Sequence, residues 1–514
     1  MSARIFTQIC LVMCLSLSAA ANDYDTVILG GRVIDPETGY DRISNVAISD
    51  GAIALITEEP VKGKKSIDAT GRIVSPGFID LHSHAVNLSG YRMQAAQGVT
   101  TALELESGVL PVAEWYAAQA EKRLPINYGA ASAWTFARIA TFTGTQPEST
   151  AAYFQGAQGR SDWKEEIASP GQLAQILERV EQGLKEGALG IGINAGYAPG
   201  YGHKEYFELA RLAKRYDVAT FTHARYMSVL EPQGTFEAIQ ELVANSALTG
   251  ARMHICHINS NSLRDIDSTM DLLDRAKARD FHVTAGAYPW SAMSTVINAA
   301  MFNGPDWKDR VGYTENSFQL GDQRLSDAQI EAIQEKAPGT IVVYHFLNSE
   351  DPKDVAVMDR SILHPDVLVE SDTMPWFLIE GKSVSQYAGD AWPLPPNVFS
   401  HPRSAGTFVK ILQEYVRERK LMSFPEAIRK MRLMPAQTLE DFVPQMKKKG
   451  RLQAGMDADI VVFDPATVAN RATYRAPMKP AVGVQTVIVN GELVLEDGEL
   501  ILDTAPGQAI RRPH

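Results

Sequence analysis

The middle of the chain repeats one pattern, in which a helical stretch with an apolar face is followed by a short apolar run. Helices are predicted over 170–185, 204–215, 236–245 and 263–279. The runs after them carry "GINAG", "FTHAR", "HICHIN" and "TAGAYPW". Four successive units of this kind predict an α/β fold of the TIM type, a parallel (β/α)8 barrel. In such a barrel the functional residues lie at the carboxyl ends of the strands.

Short β-like runs joined by turn dipeptides stand at both ends of the chain. Turns are predicted at Gly30-Gly31 and Asp50-Gly51, and Asn490-Gly491 marks a hairpin near the other end. Two distant segments with the same pattern of short strands and turns predict one small β-sandwich domain. The predicted domains are sandwich parts at 22–73 and 446–514, the barrel at 74–445, and an insertion or cap within it at about 300–345.

Residues 1–21 are typical of a cleaved secretory signal, with an apolar stretch at 5–17 and small residues up to Ala21. The apolar stretch has about a dozen residues, fewer than the ~20 that span a bilayer. We expect cleavage near Ala21 and a periplasmic or secreted protein without membrane contact; a lipoprotein anchored through Cys14 is the alternative. The mature chain then keeps only Cys256, which excludes an intramolecular disulfide.

The charge balance argues against nucleic acid as a partner. Lys and Arg total 49 against 61 Asp and Glu, so the formal net charge is −12, and no basic stripe offers itself to a phosphate backbone. The composition is otherwise that of an ordinary globular protein, with 45% apolar and 21% charged residues.

Two histidines stand one residue apart in "FIDLHSH", at the end of an apolar run. Strand alternation places His82 and His84 on one face, together with Asp80. Two imidazoles at a barrel mouth would repel each other if protonated and bury unused donors if neutral, whereas a divalent metal satisfies both. Further candidates stand at three other strand ends: His223, His257 and Asp372.

Two glutamates in "GVTTALELESG" share the next strand. Glu104 and Glu106 lie two residues apart and therefore on one face, with Glu106 nearer the strand end. A carboxylate buried in a barrel is costly unless a cation compensates it, so Glu106 is a candidate anionic ligand or a bridge between two metals. The alternative is that both glutamates form salt bridges with the outer helices. His254 is predicted to be structural, and Cys256 to face away from the site.

An ordered set of segments resembles the amidohydrolase superfamily and, within it, the D-aminoacylases (N-acyl-D-amino-acid deacylases). "IVSPGFIDLHSH" resembles the first-strand signature and "GVTTALELESG" the second-strand segment; "THARY", "ICHINS", "YPWSAMST", "ESD" and "HPRSAGTF" follow in the same order. The resemblance implies a zinc-dependent hydrolase that cleaves the linear amide bond of a small N-acyl-D-amino acid. The products are a carboxylate and a free D-amino acid.

The resemblance also implies residue roles. His223 and His257 would hold a tight zinc ion, His82 and His84 would form a second, optional metal position, and Asp372 would be the catalytic acid/base. Arg225 and Tyr288 would bind the substrate carboxylate, since a guanidinium suits bidentate contact with a carboxylate. Arg92 would meet an acidic side chain of the substrate, with a surface salt bridge as the alternative.

The chain departs from the family pattern at the anionic ligand. D-aminoacylases usually offer a cysteine where this chain has Ser107, and "GALGIGINAG" has no lysine of the kind that other amidohydrolases carbamylate. Glu106 is the remaining anionic candidate, with Glu104 next. "LELESG" also resembles the variant of D-glutamate deacylases, which moves the expected substrate towards N-acyl-D-glutamate. Two other functions stay open: a dipeptidase or cyclic amidase, and a non-catalytic binding protein on the same barrel.

Overall fold

The computed structural model describes residues 24–380 and 383–513. The predicted signal segment, with its cleavage site and Cys14, lies outside the described residues. Among the helices that are described, none combines the length and the apolar character that a membrane span requires.

Five strands open the described chain: β1 (Tyr24–Asp35), β2 (Tyr40–Ser49), β3 (Ala52–Thr57), β4 (Gly63–Asp68) and β5 (Ile73–Pro76). The predicted turn at Asp50-Gly51 joins β2 to β3. The turn predicted at Gly30-Gly31 is wrong, because both glycines lie inside β1. The register against β2 shifts between Ile28 and Gly31, and Gly30 has a φ of +68°. The dipeptide therefore forms a β-bulge, which uses the same left-handed backbone as a turn.

Twelve strands follow: β6 (Phe78–Asp80), β7 (Val99–Val109), β8 (Asn127–Ala133), β9 (Gly190–Asn194), β10 (Ala219–His223), β11 (Arg252–Ile255), β12 (Val283–Ala287), β13 (Ala292–Val296), β14 (Phe318–Leu320), β15 (Gln323–Arg324), β16 (Ile341–His345) and β17 (Val367–Val369). β6 to β12 and β17 pair in parallel as one eight-stranded sheet. The sheet closes where its two edges meet: the His84 N–H donates to the Thr373 carbonyl at 2.7 Å, and the Thr373 N–H to the His82 carbonyl at 3.2 Å. The predicted parallel barrel is confirmed.

The segment between β12 and β17 forms a cap with a sheet of its own. Strands β13 to β16 make this four-stranded antiparallel sheet, in which β13 pairs with β16 from Ala292–His345 to Val296–Ile341. The cap therefore begins before residue 300, where the insertion was predicted. Its core is apolar and includes the buried side chains of Met293, Phe318 and Tyr344.

The α-helices are α1 (Leu88–Ala96), α2 (Val112–Glu121), α3 (Trp134–Thr143), α4 (Ala151–Gly156), α5 (Asp162–Glu165), α6 (Pro170–Lys185), α7 (His203–Arg215), α8 (Thr235–Thr249), α9 (Ile258–Ser262), α10 (Ile266–Lys277), α11 (Trp307–Val311), α12 (Asp327–Lys336), α13 (Pro352–Ile362), α14 (Arg403–Lys410), α15 (Phe424–Ile428) and α16 (Met434–Leu439). The helix predicted over 170–185 is confirmed. Ser169 caps it by accepting a hydrogen bond from the Gln172 N–H, and Pro170 occupies the first turn, where no N–H is needed.

The last strands are β18 (Phe377–Glu380), β19 (Ser383–Gln386), β20 (Val398–Phe399), β21 (Ile460–Phe463), β22 (Val484–Val489), β23 (Glu492–Glu496) and β24 (Glu499–Leu500). β18 to β20 form a small three-stranded sheet. β21 to β24 join β1 to β5 in a nine-stranded sheet through the β21–β5 pairing. The predicted β domain built from both chain ends is confirmed, as is the hairpin at Asn490-Gly491 between β22 and β23.

Candidate metal centre and active site

The candidate side chains from separate barrel strands meet at the carboxyl end of the barrel. His82 and His84 follow β6, and Glu106 lies on β7. His223 ends β10, and His257 comes two residues after β11. Asp372 completes the group from the segment after β17, and its neighbour Thr373 makes the bridge that closes the barrel. The group is buried, with only the His84 side chain exposed by more than a tenth.

Glu106 lies at the centre of this group, and its two oxygens face different histidine pairs. Oε1 is 2.7 Å from His257 Nε2 and 3.2 Å from His223 Nδ1. Oε2 is 3.3 Å from His82 Nε2 and 3.4 Å from His84 Nε2. One carboxylate thus stands between two nitrogen pairs, which is the arrangement of a bridging ligand.

The ligand atoms are close enough to surround metal ions. Glu106 forms one group with His223 and His257 and a second with His82 and His84, and within each group all ligand atoms lie within 4.8 Å of one another. Burial raises the pKa of the Glu106 carboxyl, but His82, His223 and His257 more than offset it, so its pKa lies well below the usual value. Imidazole nitrogens with an ionised carboxylate are a donor set that fits zinc.

Glu104 occupies a different position from Glu106. Its carboxylate oxygens are 2.8 and 2.9 Å from His84 Nδ1, whereas Glu106 stands near the Nε2 of the same ring. A carboxylate on the far nitrogen of an imidazole fixes the tautomer and the orientation of the ring. Both glutamates therefore face into the barrel, and within the described part of the chain neither forms a salt bridge with the outer helices.

Asp372 stands beside the histidines and in contact with a guanidinium. Its Oδ1 is 3.5 Å from the Nε2 atoms of both His82 and His84, and Arg403 Nη2 lies 2.8 Å from the same oxygen. Burial raises the pKa of Asp372, but the positive charges of Arg403 and His82 lower it by more, so the carboxyl is held ionised. An ionised carboxylate in this place can accept a proton.

Glu370 lies beneath the histidines and is completely buried. Its carboxylate accepts a hydrogen bond from the His257 backbone N–H at 2.5 Å and lies 3.2 Å from His254 Nε2 and 3.4 Å from His82 Nδ1. Burial raises the pKa of Glu370, and the hydrogen bond with His254 together with the nearby His82 imidazole lowers it by more, to well below its usual value. His254, predicted to be structural, thus helps to hold a carboxylate that orients two candidate ligands.

Strand alternation predicted that Cys256 faces away from the site, and this prediction is wrong. Its sulfur lies within 4.8 Å of the ligand atoms of His82 and Glu370. The reason is that β11 ends at Ile255, and the next residue but one, His257, adopts a left-handed backbone with φ 33°. The alternation of side chains ends with the strand.

The two arginines that were predicted to bind substrate make their hydrogen bonds with other parts of the fold. β10 ends at His223, and Arg225 turns towards α8, where Glu241 accepts from its Nε and Nη2 at 2.9 and 2.7 Å. Its Nη1 donates to two backbone carbonyls, so this guanidinium is engaged in the fold. Arg92 lies on α1 and donates to the carbonyls of Asp390 and Leu502.

Tyr288, the third predicted contact of the substrate, does lie beside the site. Its ring centroid is 6.3 Å from that of His257, and the Arg403 guanidinium carbon lies 5.0 Å from the ring centroid of Tyr288. Nε and Nη1 of Arg403 are buried and have no hydrogen-bond partner among the described residues. A guanidinium whose Nε and Nη1 have no partner among the described residues therefore stands next to Asp372 and Tyr288. The sequence had predicted that Arg225 would supply the guanidinium that binds the substrate carboxylate.

Three residues of the site were missed in the sequence. Asn194 donates to Glu106 Oε2 at 2.8 Å, and its position at the end of β9 could have indicated it. Glu370 stands two residues before Asp372, a spacing that also pointed to His82 and His84. Arg403 lies in a helix far along the chain, and no spacing signal indicates that it reaches Asp372.

A barrel with imidazole and carboxylate side chains gathered at its carboxyl end is the architecture of metal-dependent hydrolases. The family model described as "Amidohydrolase family" matches residues 65–338 and 386–495. The chain belongs to this family.

Individual relatives cover nearly the whole chain. An N-acyl-D-glutamate deacylase of Alcaligenes xylosoxydans xylosoxydans is 29% identical over 95% of this chain and 96% of the relative. An N-acyl-D-aspartate deacylase of the same organism is 26% identical over 96% of each chain. The crystal structure of an N-acyl-D-glutamate deacylase from Bordetella bronchiseptica, complexed with zinc and a phosphonate inhibitor, has the same fold. It covers 95% of this chain and 100% of its own, with a TM-score of 0.75 and 24% identity.

Proposed function

We propose that the protein is a zinc-dependent hydrolase that cleaves the amide bond of N-acyl-D-amino acids and releases a carboxylate and a D-amino acid. The observation that carries the proposal is the position of Glu106, whose two oxygens face two histidine pairs within 3.4 Å. The relatives that match the full length of the chain are deacylases of N-acyl-D-amino acids, which supports this substrate class.

The residues would divide into two metal positions. Glu106, His223 and His257 would hold the tight zinc ion, and His82 and His84 would hold a second ion that shares Glu106. When bound, zinc polarises the amide carbonyl and lowers the pKa of a coordinated water towards neutrality, from about 16 in bulk water.

The site residues that hold no metal in this proposal transfer the proton, bind the substrate and orient the ligands. Asp372 accepts a proton from the attacking water at a carboxylate oxygen and returns it to the amide nitrogen, so that the amine can leave. Arg403 binds the substrate α-carboxylate through Nε and Nη1, which have no partner among the residues that the structure describes, and the Tyr288 ring packs against the guanidinium. Glu104 orients the His84 ring, and Glu370 orients His82 and the backbone of His257.

We also propose that the chain is exported and cleaved near Ala21, on the strength of residues 1–21. The supporting features are the apolar stretch and the small residues after it. N-terminal sequencing of the mature protein from a periplasmic extract tests the cleavage site. A mature chain that starts at Cys14 would replace this proposal with the lipoprotein alternative.

A comparison of two glutamate variants tests the metal ligands. Glu106→Ala should lose most of the zinc, whereas Glu104→Ala should keep the ion held by His223 and His257. Metal analysis of both purified variants gives the result. Zinc retained in the Glu106 variant and lost in the Glu104 variant would move the anionic ligand to Glu104.

Hydrolysis of paired N-acetyl-D- and N-acetyl-L-amino acids tests the reaction itself. We expect turnover of the D forms that is lost on treatment with a chelator and restored by zinc. Preference for the L forms, or turnover only of dipeptides or cyclic amides, would refute the proposed function.

A further inference from the structure

The cavity above the histidines has a floor with ionisable side chains and a wall of apolar and uncharged polar side chains. The floor is made by His84, Glu106, His223, His257 and Asp372. The wall comes from α3, α4, the segment after β10, the cap and the chain from Met374 into β18. Its apolar members include Phe136, Phe154, Met227, Met293, Met374 and Phe377, and its uncharged polar members include Ser149, Thr150, Gln155, Ser294, Thr295 and Gln386. The cavity encloses about 1100 Å³ that no protein atom fills, part of it open to solvent.

No lysine or arginine lines this cavity among the residues that the structure describes. The charged groups on its surface are instead carboxylates: Glu104 and Glu106, with Asp372 at the floor. Any metal charge at the floor is shared with these carboxylates and with the reacting amide. A second carboxylate on the substrate would face apolar, hydroxyl and amide side chains, with no lysine or arginine of the wall to pair with it.

Of three buried arginines, Arg225 and Arg138 form ion pairs away from Asp372, and Arg403 does not. Arg225 is paired with Glu241 at 2.7 Å, and Arg138 Nη1 is paired with Glu205 at 2.6 Å. Arg403 alone among these three combines contact with Asp372 and free donors at Nε and Nη1. Arg403 is not among the residues that line the cavity, but its contact with Asp372 places its guanidinium directly behind the floor. The site thus has one protein cation within reach of the floor, and we assign the substrate α-carboxylate to it.

We infer that the substrate carries a single carboxylate, and that its side chain and its acyl group are uncharged and largely apolar. N-acyl derivatives of D-methionine, D-leucine and D-phenylalanine meet this description. The inference rests on the proposed function and narrows it. It separates this chain from the relatives that are named for D-glutamate and D-aspartate, and from the acidic side chain that "LELESG" suggested.

The size of the preference follows from the cost of a buried carboxylate without a partner. Such a charge must give up its hydration, and a site that lacks the matching donor rejects it strongly. We expect kcat/KM to be at least about 100-fold lower for an acidic side chain than for an apolar one of similar size, which corresponds to about 2.7 kcal/mol at 1.36 kcal/mol per tenfold.

Three substrates of similar length separate charge from size: N-acetyl-D-methionine, N-acetyl-D-glutamine and N-acetyl-D-glutamate. The zinc-loaded enzyme should hydrolyse the methionine derivative best, the glutamine derivative less well, and the glutamate derivative at least about 100-fold more slowly than methionine. Glutamate within tenfold of methionine would overturn the inference and leave the proposed function standing. Turnover of no D-amino acid derivative would overturn the proposed function and the inference with it.

A charge placed in the wall provides a second measurement. Met293→Lys adds an ammonium group to the cavity wall, and it should raise the glutamate-to-methionine ratio of kcat/KM by at least about tenfold. Met301→Lys is the matched control, because Met301 lies in the same cap, half-buried, and does not line the cavity. The control should leave the ratio within about twofold. A folded Met293 variant with an unchanged ratio would show that the charge of the wall does not set the preference.

Discussion

Gly286 on β12 leaves the space in which the Glu370 carboxylate lies, so one added methyl group there should disturb the proposed metal centre without touching a proposed ligand. A Cβ at position 286 would lie 2.2 Å from the Glu370 carboxyl carbon and 2.4 and 2.5 Å from its oxygens. Real Cβ atoms essentially never come within 3.0 Å of a neighbour, so the carboxylate has to retreat by roughly 1 Å. The backbone at this glycine is not in the left-handed region, so the contact is the whole perturbation.

Displacement of the Glu370 carboxylate costs free energy because several groups contact it. The His257 N–H binds it at 2.5 Å and His254 Nε2 lies 3.2 Å away, so a shift of this size weakens both contacts and the orientation of His82. Overpacking of this kind costs about 1–3 kcal/mol of stability. Loss of the groups that orient metal ligands typically lowers metal affinity or activity by about 10–100-fold. We expect both effects in Gly286→Ala.

The assay is a zinc titration, a thermal unfolding curve and kcat/KM on one N-acetyl-D-amino acid, measured on wild type and variant. Gly171→Ala on α6 is the matched control, because no atom lies within 4 Å of its added Cβ. The control should change stability by no more than about 1 kcal/mol and leave zinc affinity unchanged. A Gly286 variant with wild-type zinc affinity and rate would refute the role given to Glu370. An equal loss in both variants would refute the steric reasoning.

Two other predictions concern single side chains. Asp372→Asn should retain zinc while kcat/KM falls by at least about 100-fold, because the amide cannot accept the proton; a fully active, metal-loaded variant would remove Asp372 from the acid/base role. Burial lowers the pKa of His345 in the cap to about 3, so this imidazole is neutral in the fold and protonates more readily when unfolded. Above the unfolded pKa of about 6.5 the imidazole is neutral in both states, and its contribution to the free energy of unfolding is complete. As the pH drops from 6.5 towards 3, only the unfolded state gains the proton, so the free energy of unfolding falls; the loss reaches up to about 2 kcal/mol at pH 5. His345→Gln should remove this part of the difference in unfolding free energy between pH 7 and pH 5, and an unchanged difference would contradict the neutral imidazole.

Much of the architecture was determined by periodicity in the sequence, because periodicity reports local backbone geometry. The repeat of helical faces and apolar runs predicted the barrel, and turn dipeptides predicted the hairpins at Asp50-Gly51 and Asn490-Gly491. The two-residue alternation also predicted that Glu104 and Glu106 share a face, and both lie on β7. His82 and His84 were predicted to share a face for the same reason, and they do meet, although β6 ends at Asp80 and the strand ladder does not set their direction. Since parallel strands end at one rim, His223, His257 and Asp372 could be expected near them. The metal and catalytic roles of these residues stay predictions until the variants are measured.

The tertiary structure alone decided where side chains point once a strand has ended. Alternation depends on the hydrogen-bonded ladder, and it fails at Cys256 because β11 stops one residue earlier, and at Arg225 because β10 stops at His223. Arg403 reaches Asp372 across more than thirty residues of chain, through packing of a helix against the rim. Such contacts follow from how distant segments fill a shared volume, and no local pattern of residues encodes that.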